Sequence, residues 1–189
     1  MIITISGVPG SGKTTVGKII AQKLGMPFYS VGGLRGKMAL ERGLTIDELN
    51  KLGETDRTTD TQVDDYQKEL GAKKDGFVIE GRLSWHFIPH SFKIFLDCAP
   101  DEAARRILAS RDQRPDEDLP ADTTSMKRRI EGRLASDQRR YRDIYGLDYR
   151  DKSHYDLVLD TTPLKSAEDA AERILADLRP KLDSSDGIQ

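Results

Sequence analysis

The chain has 189 residues, 37% hydrophobic and 33% charged, enough to bury the core of one compact domain or of one core carrying small lobes. Its 30 basic and 32 acidic residues nearly cancel, so no global field marks it as a binder of nucleic acid or of a membrane surface, and any positive patch has to be local. The single cysteine, Cys98, excludes an internal disulfide and points to a reducing compartment; no apolar run reaches the roughly 18 residues of a span and no basic-then-apolar leader opens the chain, so a cytoplasmic protein is expected.

In chain order, Ile2–Ser6 reads as a buried strand running into a glycine-rich turn, followed by a helix over Lys13–Leu24 that Gly25 stops. A weak strand follows near Phe28-Tyr29. Thr45-Ile-Asp-Glu48 has the spacing of a capping box and opens another helix. Phe77–Glu80, Lys93–Asp97 and Asp156–Asp160 are further strands. Cys98, placed after Ile94-Phe95-Leu96, reads as a buried inert thiol. The stretch Asp112–Thr123, with two prolines and five acidic residues, reads as an exposed mobile connection. Ser166-Ala-Glu-Asp169 opens a last helix, and the polar residues from Pro180 to Gln189 read as a frayed tail. Strands alternating with helices predict an α/β fold with a five-stranded parallel sheet covered on both faces.

The turn after the first strand, Gly7-Val-Pro-Gly-Ser-Gly-Lys13-Thr14, matches G-x-x-x-x-G-K-[ST] at every fixed position, with a strand before it and a helix after it. Its glycines let consecutive backbone N–H groups turn around a phosphate, and the helix aims its positive end there. Lys13 neutralises the outer phosphates and Thr14 supplies a hydroxyl for Mg²⁺. A nucleoside triphosphate is the expected ligand. A GTPase switch would carry N-K-x-D, but Asn50-Lys-Leu-Gly53 puts glycine at the aspartate position and sits too early. A motor ATPase needs a longer chain.

Arginines recur beyond the strand ends. Arg35 follows the second strand, Arg82 the third, and Arg105, Arg106 and Arg111 the fourth, while six more lie between Met126 and Arg142. Strand ends of an open parallel sheet line the ligand crevice, so these guanidinium forks are placed for phosphoryl transfer. The alternative for the long helix is a solvated face paired with Glu131, Asp137 and Asp143. Asp56, Asp60 and Asp64 share one helical face; it either anchors acceptor arginines, reads a base amino group or is solvated. Trp85 is core or pocket wall, and His86, His90 and His154 lack metal-ligand spacing.

With "ITISGVPGSGKTTVGKIIAQKLG", "YSVGGLRGKMALERGLTIDELNK", "VIEGRLSW", "KIFLDCAPDEAARRI" and "RRYRDIYGLDYRDKSHYDLVLDT", the chain resembles archaeal-type cytidylate kinases, a branch of the nucleoside monophosphate kinases, over most of residues 1–162. The resemblance implies a phosphate-loop NTPase fold with strand order 2-3-1-4-5. It implies one kinase domain over 1–180, with a monophosphate-binding lobe at about 30–75 and a lid at about 111–140, and a flexible tail over 181–189. It implies ATP at Gly7, Val8, Pro9, Gly10, Ser11, Gly12, Lys13, Thr14 and Thr15, with Thr14 on Mg²⁺. It makes Arg35, Gly81 and Arg82 acceptor-site residues, with Asp60 and Asp64 beside them. Lys13 and the lid candidates Arg106, Arg111, Arg139 and Arg140 would be catalytic. The segment "DQRPDEDLPADTT" is longer than the family's usual connection. The implied reaction is ATP-dependent phosphorylation of CMP and dCMP by a monomer or homodimer. Residues alone leave open a kinase for UMP, AMP or a shikimate-like acceptor, or a regulator that hydrolyses ATP slowly. No covalent nucleophile is needed: the acceptor phosphate attacks, and the protein aligns, neutralises charge and excludes water by closing its lobes.

Overall fold

The computed structural model describes residues 1–113 and 118–185, the side chains of Gln113 and of residues 181–185 excepted. Five strands among them, β1 (Ile3–Gly7), β2 (Phe28–Ser30), β3 (Val78–Glu80), β4 (Phe92–Asp97) and β5 (Leu157–Asp160), form one parallel sheet in the order β2-β3-β1-β4-β5. The central strand β1 is buried throughout, β3 likewise, while the edge strands β2 and β5 are only partly covered. That gradient explains why the central strands read as continuous apolar runs and β2 barely registered.

Alternate residues face opposite layers. Ile3, Ile5, Ile94 and Leu96 pack against Val16 and Ile20 of α1 (Lys13–Leu24) and Ile174 and Leu178 of α8 (Ala167–Ser185). On the other face, Phe95 packs with Ile107 of α6 (Pro100–Ala109) and with Ile130 and Tyr141 of α7 (Thr123–Tyr145). Ile2 and Ile79 pack with Val31 of α2 (Val31–Glu41) and Val63 and Leu70 of α4 (Thr58–Lys73). Two short helices complete the set, α3 (Ile46–Leu52) and α5 (Ser84–Phe87).

The capping box at Thr45 and Glu48 is formed in full, and Asp169 N donates to Ser166 Oγ at the start of α8. One expectation changes. Asp56 precedes α4 and accepts from Thr58 N at 3.0 Å, so it does not share the face of Asp60 and Asp64. Helix α8 runs through Pro180 to Ser185, and its packed apolar residues end at Leu178. Residues 114–117 of the acidic connection and 186–189 of the tail lie outside the described residues.

Candidate active site

The loop from β1 to α1 is shaped by glycines that no other residue could replace. A Cβ on Gly7 would sit 2.1 Å from the Leu96 carbonyl oxygen, and one on Gly10, whose φ is 77°, would sit 2.7 Å from the Ala103 carbonyl oxygen. Residues 9–16 line a cavity of about 680 Å³; Gly7 and Val8 support it from behind, the latter with its side chain in the core. Gly12 caps α1 without any side-chain bond, so the first N–H groups of that helix are not covered by a capping side chain. Lys13 Nζ folds over the loop and donates to Val8 O at 2.7 Å.

Glu80, not singled out above as a functional residue, belongs to this site. It is registered with Ile5 across the β1–β3 pair, so its side chain emerges beside the loop, where it is 5% exposed. Thr14 Oγ1 donates to Glu80 Oε1 at 3.4 Å, and Ser30 Oγ donates to the same oxygen. An acidic residue ending the apolar run next to the phosphate-loop strand was the available signal. Among the described residues no group of three or more His, Cys, Asp or Glu is placed to hold a metal. The neighbouring hydroxyl and carboxylate of Thr14 and Glu80 are oxygen donors of the kind that fit a hard cation taking its other ligands from phosphate and water, as Mg²⁺ does.

At the other end of the cavity three arginines from three elements converge. Arg35 of α2 pairs with Asp60 of α4 at 2.8 Å and bonds Asn50 Oδ1 and Thr59 O. Arg82, just beyond β3, lies 2.5 Å from Asp137 of α7 and over the Tyr149 ring. Arg140 bonds Asp137 at 2.9 Å and Asn50 O at 3.2 Å, and its Nε lies 3.4 Å from Asp60. Three guanidinium groups thus pair with two carboxylates, Asp60 and Asp137, at the cavity wall, and Asp64 also acts on Arg35. Burial disfavours the Arg82 and Arg140 cations, but Asp137 beside Arg82, and Tyr141 and Asp137 beside Arg140, outweigh it and hold the pKa of each above its usual value.

The remaining candidates separate. Arg106 also lines the cavity, its Nε bonded to Glu102 at 2.7 Å and its Nη atoms to Thr161. It is on α6 and does not join Arg82 and Arg140. Arg111 donates to Leu119 O at 2.8 Å, and Arg139 pairs with Glu54 at 3.2 Å; neither lines the cavity. Arg129, with Asp47 at 2.8 Å, helps clasp α7 to α3, and Arg133 reaches both Asp47 and the cavity. The solvated reading of the long helix therefore holds for Arg128 and Arg142, which are exposed, and fails for Asp137, which is buried. Gly81 donates to Ile5 O and turns the chain towards Arg82. Asp60 and Asp64 stand behind the cavity; Tyr145 Oη donates to Asp64, and burial pushes that carboxyl up to about 6. Trp85 is core: it stacks on His154 at 4.4 Å and donates to Arg82 O. Cys98 is a buried free thiol whose pKa burial raises.

Residues 2–163 match the model of the cytidylate kinase-like family. The chain belongs to that family. It is 34% identical over 162 residues to the cytidylate kinase of Methanococcoides burtonii, covering 86% of this chain and 88% of that one. It is 35% identical to the cytidylate kinase of Methanothermobacter thermautotrophicus, covering 85% and 95%. A S-adenosylmethionine-dependent nucleotide dehydratase of Lacinutrix mariniflava is 34% identical over 92% of this chain, which spans 35% of that protein. In fold, the chain is similar to the shikimate kinase of Bacteroides thetaiotaomicron, with a TM-score of 0.67 at 20% identity over 95% of this chain and 98% of that one. Membership of the family makes this chain a phosphate-loop kinase acting on nucleoside monophosphates.

Proposed function

We propose that the chain transfers the γ-phosphoryl group of ATP to CMP and dCMP, giving ADP and CDP or dCDP. The observation that carries this reading is the convergence of Arg35, Arg82 and Arg140 on the cavity that the phosphate loop also lines. A monoanionic or dianionic phosphate answers those guanidinium groups, and likeness to the cytidylate kinases named above supports cytosine as the base.

Arg35, Arg82 and Arg140 would hold the acceptor phosphate with one oxygen directed at the γ-phosphorus. That oxygen forms the new P–O bond as the bond to the β,γ-bridging oxygen breaks, and ADP leaves with the electron pair. Lys13 and the loop N–H groups stabilise charge that spreads over the β and γ oxygens. Thr14, with Glu80 behind it, would hold Mg²⁺, which would supply further charge neutralisation there. Arg106 acts differently from a lid arginine. All its in-plane donors are engaged by Glu102, Thr161, Leu164 and Cys98, so what it offers a ligand is its flat face, suited to the base of the donor.

Thermal denaturation with a panel of ligands tests the acceptor. CMP and dCMP raise Tm more than equal concentrations of UMP, AMP or shikimate, since a ligand bound by the native state alone stabilises it. A larger shift with AMP or shikimate overturns the base assignment.

A further inference from the structure

Thr161 directly follows β5, is 2% exposed, and joins three parts of the donor end. Its N–H donates to Asp97 O at 2.9 Å, tying it to the end of β4. Its Oγ1 accepts from Arg106 Nη1 at 3.1 Å and has two carbonyls within reach for its single proton, Asp97 O at 2.9 Å and Ser11 O of the phosphate loop at 3.2 Å. Its carbonyl accepts from Arg106 Nη2 at 2.8 Å. One hydroxyl therefore stands between the loop that takes the phosphates and the guanidinium plane that faces the base.

We propose that Thr161 is a positioning residue that sets the spacing between the phosphate loop and Arg106, and so the affinity for the donor nucleotide, without itself binding it. This rests on the reading of Arg106 as part of the donor site. The physical reason is the stiffness of the junction. Arg106 is also held by Glu102, which can swing with its own helix turn, whereas Thr161 is fixed by a backbone bond to β4. A guanidinium bonded at both Nη atoms to one residue cannot tilt without breaking both contacts.

Thr161→Val keeps the β-branched shape and the backbone bond but removes the hydroxyl. Calorimetric titration with ADP, a donor-site probe, and separately with CMP reads the effect. A lost hydrogen bond to a charged group predicts ADP binding about tenfold weaker, with CMP binding unchanged. Thr161→Ser restores ADP affinity to within about threefold of the parent, because the hydroxyl returns. In an Arg106→Gln background, Thr161→Val adds no further loss, since two residues acting through one contact are not additive. Unchanged ADP affinity in Thr161→Val, equal losses for ADP and CMP, failure of serine to restore, or full additivity with Arg106→Gln each overturn the proposal. Should the valine variant not fold, the serine variant and Arg106→Gln carry the test: a serine variant with much weakened ADP binding, or Arg106→Gln with normal ADP binding, overturns it. A parent chain that binds ADP but does not phosphorylate CMP overturns the substrate reading and leaves this inference standing.

Discussion

Arg35 Nη1 lies 2.8 Å from Asp60 Oδ1, and both side chains are less than a tenth exposed. The pair ties α2 to α4 and holds the guanidinium where it lines the cavity. Replacing Arg35 by alanine should therefore do two things. CMP binding weakens by roughly tenfold to a hundredfold for a lost charge-assisted bond, while ADP binding is unchanged. Stability also falls, by up to about 3–5 kcal/mol if Asp60 were left wholly unpaired, and by less here because Arg140 also faces it. Arg35→Lys restores part of the stability but little of the binding, because a point charge cannot make the two-pronged contact. Calorimetry and urea denaturation on both variants check the split.

Lys13→Ala removes a charge whose value is greatest in the transition state, and the side chain donates to Val8 O of the loop. Turnover should drop by several powers of ten, each worth ~1.4 kcal/mol, with Tm nearly unchanged. Steady-state kinetics beside a melting curve decides it.

Glu80→Gln keeps the shape of the side chain beside Thr14 and removes its charge. The concentration of free Mg²⁺ giving half-maximal activity should rise about 10–100-fold, as for other residues that orient a metal's ligand. A Mg²⁺ titration of activity, paired with calorimetric binding of Mg·ADP, separates this from a fall in turnover alone.

Asp64 gives a pH signature. Burial raises its carboxyl to about 6 against the usual 3.8, and Tyr145 of α7, Lys68 of its own helix and Arg35 of α2 pull the other way, while Asp60 adds to the rise. Between these two values the folded chain holds a proton that the unfolded chain has released, so this group's contribution to stability falls as pH rises from about 4 to about 6. Asp64→Asn cancels that slope and still leaves an acceptor for Tyr145. Relative to the parent, its Tm should be higher at pH 7.5 than the comparison at pH 4.5 predicts; equal differences at both pH values would show that the carboxyl is not strained by burial.

Much of this site was legible because it is local. The phosphate loop and α1 are written in the consecutive residues Gly7–Leu24, whose glycines, lysine and threonines have one reading, and the helix appears over the residues that its periodicity marks. Strand order, by contrast, followed from family resemblance rather than from residue pattern. The arginines show the limit most clearly. Arg35, Arg82 and Arg140 meet because α2, β3 and α7 meet, and no spacing within the chain reports that Asp137 turns inward while Arg139, two residues on, reaches Glu54 at the surface. The resemblance makes Arg106 a lid candidate; in the fold β5 lies beside β4, and the loop carrying Thr161 bonds Arg106.

The most direct measurement is product formation followed by phosphorus NMR or a coupled assay, with ATP and Mg²⁺ held constant and CMP, dCMP, UMP, AMP and shikimate offered in turn. The account predicts CDP or dCDP and ADP in equal amounts, fastest with CMP or dCMP, and almost no ADP when no acceptor is present. Faster turnover on UMP, AMP or shikimate, or ADP release that does not depend on an acceptor, would contradict it.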